Sequence, residues 1–163
     1  MDKTKTCVLI LENLRSVENV ASIFRTADGL GVSRIILVGT TPTPLDRFGR
    51  KRKDFAKISL GAEKTVNWEY IMVKNLRLRI QDLKGQSFQI ISLEQDSRSY
   101  GLKDFKAQEK FALIVGSEVE GVSKASLNNS DAIVEILMQG SKESLNVSVA
   151  TGTALYVLLS SHA

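Results

Sequence analysis

One histidine and one cysteine in 163 residues leave little room for several kinds of chemistry. His162 stands next to the last residue, which argues against histidine-based triads and zinc sites. Cys7 alone cannot form an internal disulfide, in keeping with a reducing cytosol. In the strand-like run TCVLIL it reads as a buried structural thiol rather than a nucleophile. There is no G-x-G-x-x-G and no Walker A pattern. No apolar run approaches the ~20 residues of a membrane span. MDKTKT leads straight into a strand-length apolar run, unlike a signal peptide. Internal repeats and low-complexity tails are absent too.

What is present fits one ordinary domain, 1–163, with 43% hydrophobic and 25% charged residues, enough to bury a sound core. Strand-like runs alternate with helical ones. KTCVLILENL, RIILVG, FQIISLE, FALIVG and AIVEILM read as strands, with a short TVNW segment between the second and third. SVENVASIFRTADGLGV reads as a helix with Ser16 as N-cap and Gly29 or Gly31 as its stop. A second helix is expected through YIMVKNLRLRIQDLKG, a short one in SKASLNNS, and a buried one from Val147 to Leu159. The alternation implies an α/β fold, an open, mostly parallel sheet with helices on both faces. Ligands of such sheets bind beyond the carboxyl ends of the strands. That directs attention to Glu12-Asn13, Gly39-Thr40, Leu93-Glu94, Gly116-Ser117-Glu118 and Met138-Gln139-Gly140.

The formal charge of +4 is mild, but its distribution is uneven. DRFGRKRKDFAK gathers Arg47, Arg50, Lys51, Arg52 and Lys53 behind the turn TTPTPLD. Two readings stand: a solvated, mobile loop, or a nucleic-acid contact whose cations release counterions from phosphates. Phe48 and Phe55 interleave with the charges, either to stack on a base or to anchor the loop to the core. An enzyme with this inventory needs a reaction run by positioning and electrostatics. Methyl transfer from a sulfonium donor is one such reaction.

Three segments carry a resemblance. NVASIFRTADGLGV, with Asn19 and Arg25, is similar to the first motif of the SpoU/TrmH family of RNA ribose 2'-O-methyltransferases. LIVGSEVEGVS, with Gly116 and Glu118, resembles the second. ILMQGSKESLNVSVATGTALY resembles the third at Ile136, Gly140, Ser144, Leu145 and Asn146. The three occur in the family's order, and the match runs from about residue 7 to the end. One departure is Leu137, where the family usually has proline; leucine relaxes the backbone there and could alter the pocket wall.

The resemblance implies a SPOUT fold whose C-terminal segment forms a deep trefoil knot, a very rare topology. It implies S-adenosyl-L-methionine as cofactor, tRNA or rRNA as partner, and a cytoplasmic homodimer through the first and last helices, without metal or membrane. The small residues Ala150, Gly152 and Ala154 would allow close approach at that interface. No separate RNA-binding domain is expected, so the basic run would meet the RNA. The catalytic set carried over is Arg25, Asn19, Glu118, Ser144 and Asn146; the cofactor contacts are Leu93, Gly116, Ile136 and Leu145. Arg25 is otherwise a surface arginine. A guanidinium stays protonated, so its expected role is to bind the adjacent phosphate and stabilise the developing alkoxide. Asn19, six residues earlier, could lie on roughly the same face and orient Arg25 or the phosphate. Glu118 could order the pocket loops. Ser144 and Asn146 could contact the ligand, cap the last helix, or do both. Alternatives are a non-catalytic RNA-binding module and a methyltransferase acting on an RNA base.

Overall fold

The computed structural model describes residues 5–160, so His162 lies outside the described residues. Seven strands form one sheet: β1 (Thr6–Glu12), β2 (Arg34–Val38), β3 (Trp68–Ile71), β4 (Gln89–Leu93), β5 (Tyr100–Gly101), β6 (Lys110–Gly116) and β7 (Ala132–Glu135). Their order is β3-β2-β1-β6-β4-β7-β5, and every pairing is parallel. The helices are α1 (Val17–Leu30), α2 (Lys53–Ser59), α3 (Ala62–Thr65), α4 (Leu76–Gly85), α5 (Lys124–Asn128) and α6 (Val147–Leu159).

The near-continuous apolar strands are explained by two covered faces. Cys7, Leu9 and Leu11 of β1 face one core with Val20, Phe24, Phe55 and Leu155 from α1, α2 and α6. Val8 and Ile10 face the other, with Ile80, Leu83 and Leu127 from α4 and α5. Because all strands run the same way, their carboxyl ends form a single edge.

The helix signals act as the sequence implies. Ser16 Oγ accepts from Asn19 N at 3.1 Å, and α1 stops at Gly31, whose φ of 75° suits glycine. Asn146 caps α6, its side-chain oxygen accepting from Ser148 N and Val149 N.

Five segments differ from the sequence reading. Tyr70 and Ile71 continue β3 instead of opening a helix, since they pair with Leu37 and Val38. Helix α4 starts only at Leu76, after a 3-10 turn over Val73–Asn75. Strand β5 is a two-residue edge piece, too short to show a period. Strand β7 stops at Glu135, and Ile136–Met138 leave the sheet. The second half of the basic run is helical, as α2, because Phe55 is fully buried edge-to-face against Phe24, with centroids 5.1 Å apart. Such a pair contributes ~0.5–1.5 kcal/mol beyond its buried area.

Two of the small residues of α6 also have contacts within the chain. Ala154 is fully buried, and a Cβ on Gly152 would lie 3.3 Å from Thr26 Cγ2 of α1. Gly152 thus lets α6 approach α1 closely within the chain. The side of α6 left exposed carries Val149, Thr153 and Tyr156.

Candidate active site

A cavity of about 670 Å³ opens at the carboxyl ends of β4, β6 and β7, within the ~300–1,000 Å³ of small-molecule sites. Its walls come from residues 93–96 at the end of β4, the loop after β6, Glu135, Ile136 and Met138 at the end of β7, and the entry to α6. Leu93, Gly116, Glu118, Ile136, Ser144, Leu145 and Asn146 all line it.

The loop after β6 is fixed by an interlock of backbone. A Cβ on Gly116 would fall 2.1 Å from Gly121 C and 2.2 Å from Val122 N. The group that this glycine lets approach closely is the chain itself. Gly121 has a φ of 71°, and a Cβ there would strike Glu94 Oε2 at 2.2 Å. That oxygen accepts from Val122 N at 2.9 Å, while Glu94 Oε1 accepts from Gln95 N at 3.0 Å. Ser117 Oγ accepts from Val119 N and Glu120 N and closes the turn. Beneath it, the buried Glu12 carboxylate accepts from Ser123 N, Ser123 Oγ and Ser126 Oγ, at 2.7–2.9 Å. Three donors compensate a carboxylate removed from water and pin the start of α5 to the end of β1. Strand-end position alone marked Glu12 and Glu94; their work shows only once their partners are in place.

The three resembling segments meet at this cavity. Asn146 Nδ2 donates to Asn19 Oδ1 at 3.3 Å, and Asn19 Nδ2 donates to Glu118 Oε1 at 3.5 Å. The structure does not bring Asn19 to Arg25: its amide is used by Asn146 and Glu118. Six residues of α-helix turn the chain about 240° past a full revolution, so the two share no face. Arg25 itself is exposed, does not line the cavity, and makes no hydrogen bond or ion pair among the described residues. Leu137 is exposed too and points away from the cavity, whose wall takes Ile136 and Met138 from either side of it. Its Cδ1 would instead lie 3.6 Å from a Cβ on Gly101.

The basic run follows the carboxyl end of β2, and its tip is a hydrogen-bonded hairpin. Leu45 and Lys51 pair antiparallel. Asp46 Oδ1 accepts from Phe48 N and Arg50 N, and Asp46 Oδ2 meets Arg50 Nε at 2.9 Å. The Arg50 backbone donor above all holds the Asp46 carboxyl below its ordinary range. Arg52 grips Asp54 through Nε and Nη2 at 3.2 and 3.0 Å, which lowers the carboxyl of Asp54 in turn. Arg50 and Arg52 are thus matched by acids. Arg47, Lys51 and Lys53 are exposed without an acidic partner among the described residues. The two phenylalanines divide the roles offered to them: Phe55 anchors, and Phe48 is 65% exposed.

Cys7 is fully buried, and burial pushes its thiol well above the ordinary range, so it offers no thiolate to the cavity. Among the described residues no cluster of histidine, cysteine and carboxylate groups is arranged to hold a metal ion. None of their helices is long and apolar enough to cross a membrane.

Residues 6–156 match the family described as the SpoU rRNA Methylase family. The 23S rRNA (guanosine-2'-O-)-methyltransferase RlmB of Ralstonia nicotianae is 33% identical over 150 residues, covering 91% of this chain and 56% of that protein. The chain thus spans little more than half the length of the curated relatives it matches. A solved A. aeolicus TrmH/SpoU tRNA modifying enzyme superposes with a TM-score of 0.78 at 29% identity, covering 95% of this chain and 74% of the other. An AdoMet-bound rRNA methyltransferase from Sinorhizobium meliloti gives a TM-score of 0.79 at 22% identity, covering 93% and 55%, a likeness of fold.

Proposed function

The chain belongs to the SpoU rRNA methylase family, and on that premise we propose that it methylates a ribose 2'-hydroxyl of tRNA or rRNA with S-adenosylmethionine as donor. The observation that carries this reading is the convergence of Asn19, Glu118 and Asn146, from three distant segments, at the mouth of a cavity of cofactor size.

The cavity suits this cofactor. Leu93, Ile136 and Leu145 supply apolar wall for an adenine ring. The Glu94, Glu118 and Glu135 carboxylates on the same wall suit a ligand bearing positive charge. When bound, the cofactor supplies a methyl group on a cationic sulfur that leaves as a neutral thioether. The protein's part is alignment. Gly116 and Gly121 keep the loop after β6 closed on Glu94. The Asn19 bridge holds Glu118 and Asn146 at fixed separation, and Ser144 presents a hydroxyl to the cavity. In this proposal SLN, 144–146, belongs to the trefoil knot implied by the resemblance.

As the family resemblance implies, Arg25 is assigned to the cavity of a second subunit; it does not line the cavity of its own. There its guanidinium would bind the phosphate beside the target ribose and stabilise charge building on the 2'-oxygen. The exposed side of α6, with Val149, Thr153 and Tyr156 in one stripe, supports a homodimer through α1 and α6. Arg47, Lys51 and Lys53 are proposed as phosphate contacts, with Arg50 and Arg52 shaping the segment that presents them. The setting is the cytoplasm. Leu137 gives no support to a non-catalytic module, since it faces away from the cavity.

The test is incorporation of labelled methyl groups from S-adenosylmethionine into total tRNA and, separately, rRNA. The expected result is transfer into one pool, mapped to a ribose by its resistance to alkaline cleavage, and lost in Arg25→Ala. Label on a base would replace the ribose reading, and absence of both cofactor binding and transfer would overturn the proposal.

A further inference from the structure

Phe48 is the least accounted-for side chain in the basic segment. It is 65% exposed, while Phe55, seven residues on, is fully buried and already anchors the segment to the core. The turn that carries Phe48 is held from several sides. Asp46 accepts from Phe48 N and Arg50 N, Asp46 N donates to Arg50 O at 2.8 Å, and Gly49 N donates to Asp46 O at 2.9 Å. An aromatic ring displayed on so constrained a turn loses little freedom when something stacks on it.

Its cationic neighbours are held differently. The Arg47 and Arg50 guanidinium carbons lie 4.8 and 5.0 Å from the ring centroid, both within cation–π range. Arg50 is tied to Asp46 as well, so it stays. Arg47 has only the ring among the described residues, and can exchange it for a phosphate while freeing a π face. The surrounding unmatched charge, Lys51 and Lys53, is of the same sign and calls for a polyanion. The hairpin follows β2, so it stands on the edge of the sheet where the cavity opens. A duplex hides the faces of its bases, whereas an unpaired base offers one.

We propose that the Asp46–Arg50 tip is a stacking platform for one unpaired nucleobase of the RNA substrate, with Phe48 as the stacking surface and Arg47 as ligand of the adjoining phosphate. This rests on the reading of RNA as substrate and adds where and how a single-stranded part of it is gripped.

The experiment is fluorescence anisotropy with a labelled single-stranded RNA of about 12 nucleotides and a duplex RNA of the same length. Phe48→Leu keeps an apolar group and removes the π face; it should raise Kd for the single strand about tenfold. Phe48→Trp should restore binding. Neither should move duplex affinity, S-adenosylmethionine affinity or the melting temperature, because Phe48 is 65% exposed and belongs to neither core cluster. Phe48→Leu should leave the salt dependence of single-strand binding unchanged, whereas Lys51→Ala should lower its slope by roughly 0.7. Single-strand binding equal in wild type and Phe48→Leu, or an equal loss on both RNAs, would overturn the platform and leave the RNA reading standing. Wild-type protein that binds neither RNA would remove both.

Discussion

The amide nitrogen of Asn146 donates to the side-chain oxygen of Asn19 at 3.3 Å, while the other end of the same Asn146 side chain caps α6. One residue thus ties the start of the last helix to the start of the first, beside the cavity. The two duties separate by substitution. Asn146→Ala loses both, and should cost about 1 kcal/mol of stability through the cap, or about 2–4 °C in melting temperature. Asn146→Asp keeps the capping oxygen and loses the donor toward Asn19. It should melt like wild type yet transfer methyl groups at least roughly tenfold more slowly, the equivalent of ~1.4 kcal/mol. Thermal melts read alongside initial rates decide it; an Asn146→Asp protein with wild-type rates would mean the Asn19 bond is idle.

Two glycines should respond to alanine in opposite directions. At Gly116 a methyl group meets backbone atoms of Gly121 and Val122 at 2.1–2.3 Å, so the loop after β6 must move. The expected loss is more than about 3 kcal/mol, among the large effects of single substitutions, together with loss of cofactor binding. At Gly29, inside α1, nothing lies within 4 Å of the new methyl. Alanine there should stabilise by ~0.5–1 kcal/mol. Denaturant titration of both variants gives the comparison.

Arg25→Ala should lower methyl transfer about 10²–10³-fold. Because the side chain is exposed and unpaired among the described residues, melting temperature and cofactor affinity should not change. If Arg25 serves the neighbouring subunit's cavity, mixing Arg25→Ala with the cavity variant Leu145→Asp should restore part of the activity. Each mixed dimer then holds one intact cavity faced by one intact arginine. No recovery after refolding the two together would place Arg25 in its own subunit's reaction or outside it.

Asp96, on the cavity wall, should stay ionised far into acid. The Arg98 side chain first, and the Arg98 backbone amide next, lower its carboxyl to about 2. A carboxyl depressed in the folded state contributes stability above its ordinary value of ~3.9, and that contribution is lost as pH falls through about 2. Carboxyl-carbon NMR should therefore show no Asp96 titration between about pH 4 and 9. In Arg98→Ala the midpoint should return toward ~3.9.

Much of the fold was legible because its strands are buried on both faces. VLIL, RIILV and FALIV are continuous apolar runs for that reason, and Ser16, Gly31 and Asn146 announce helix ends through chemistry local to them. What escaped depended on distant partners. Tyr70 and Ile71 are strand only because Leu37 and Val38 lie beside them. The helix α2 is set by Phe55 finding Phe24. Glu12 could not be assigned a task before Ser123 and Ser126, over a hundred residues away, reached it. The pairing of Arg50 with Asp46 and Arg52 with Asp54 is different: those acids lie four and two residues away, and charge patterning held that signal. The expectation that Asn19 shares a face with Arg25 failed on helix geometry. A helix brings i+3, i+4 and i+7 to one side, and i+6 lies about 120° away from i.

Strand β1 is matched residue for residue to β6, from Thr6 beside Lys110 to Glu12 beside Gly116. On a ribosome β1 therefore emerges long before its partner β6, with β2, β3, β4 and β5 made in between. Until then CVLIL has β2 on one side and an open edge on the other, and the interlock that shapes the cavity has no strand to hang from. Such late long-range closure predicts slow folding, dependence on chaperones during synthesis, and stalled or truncated products that aggregate instead of retaining partial activity.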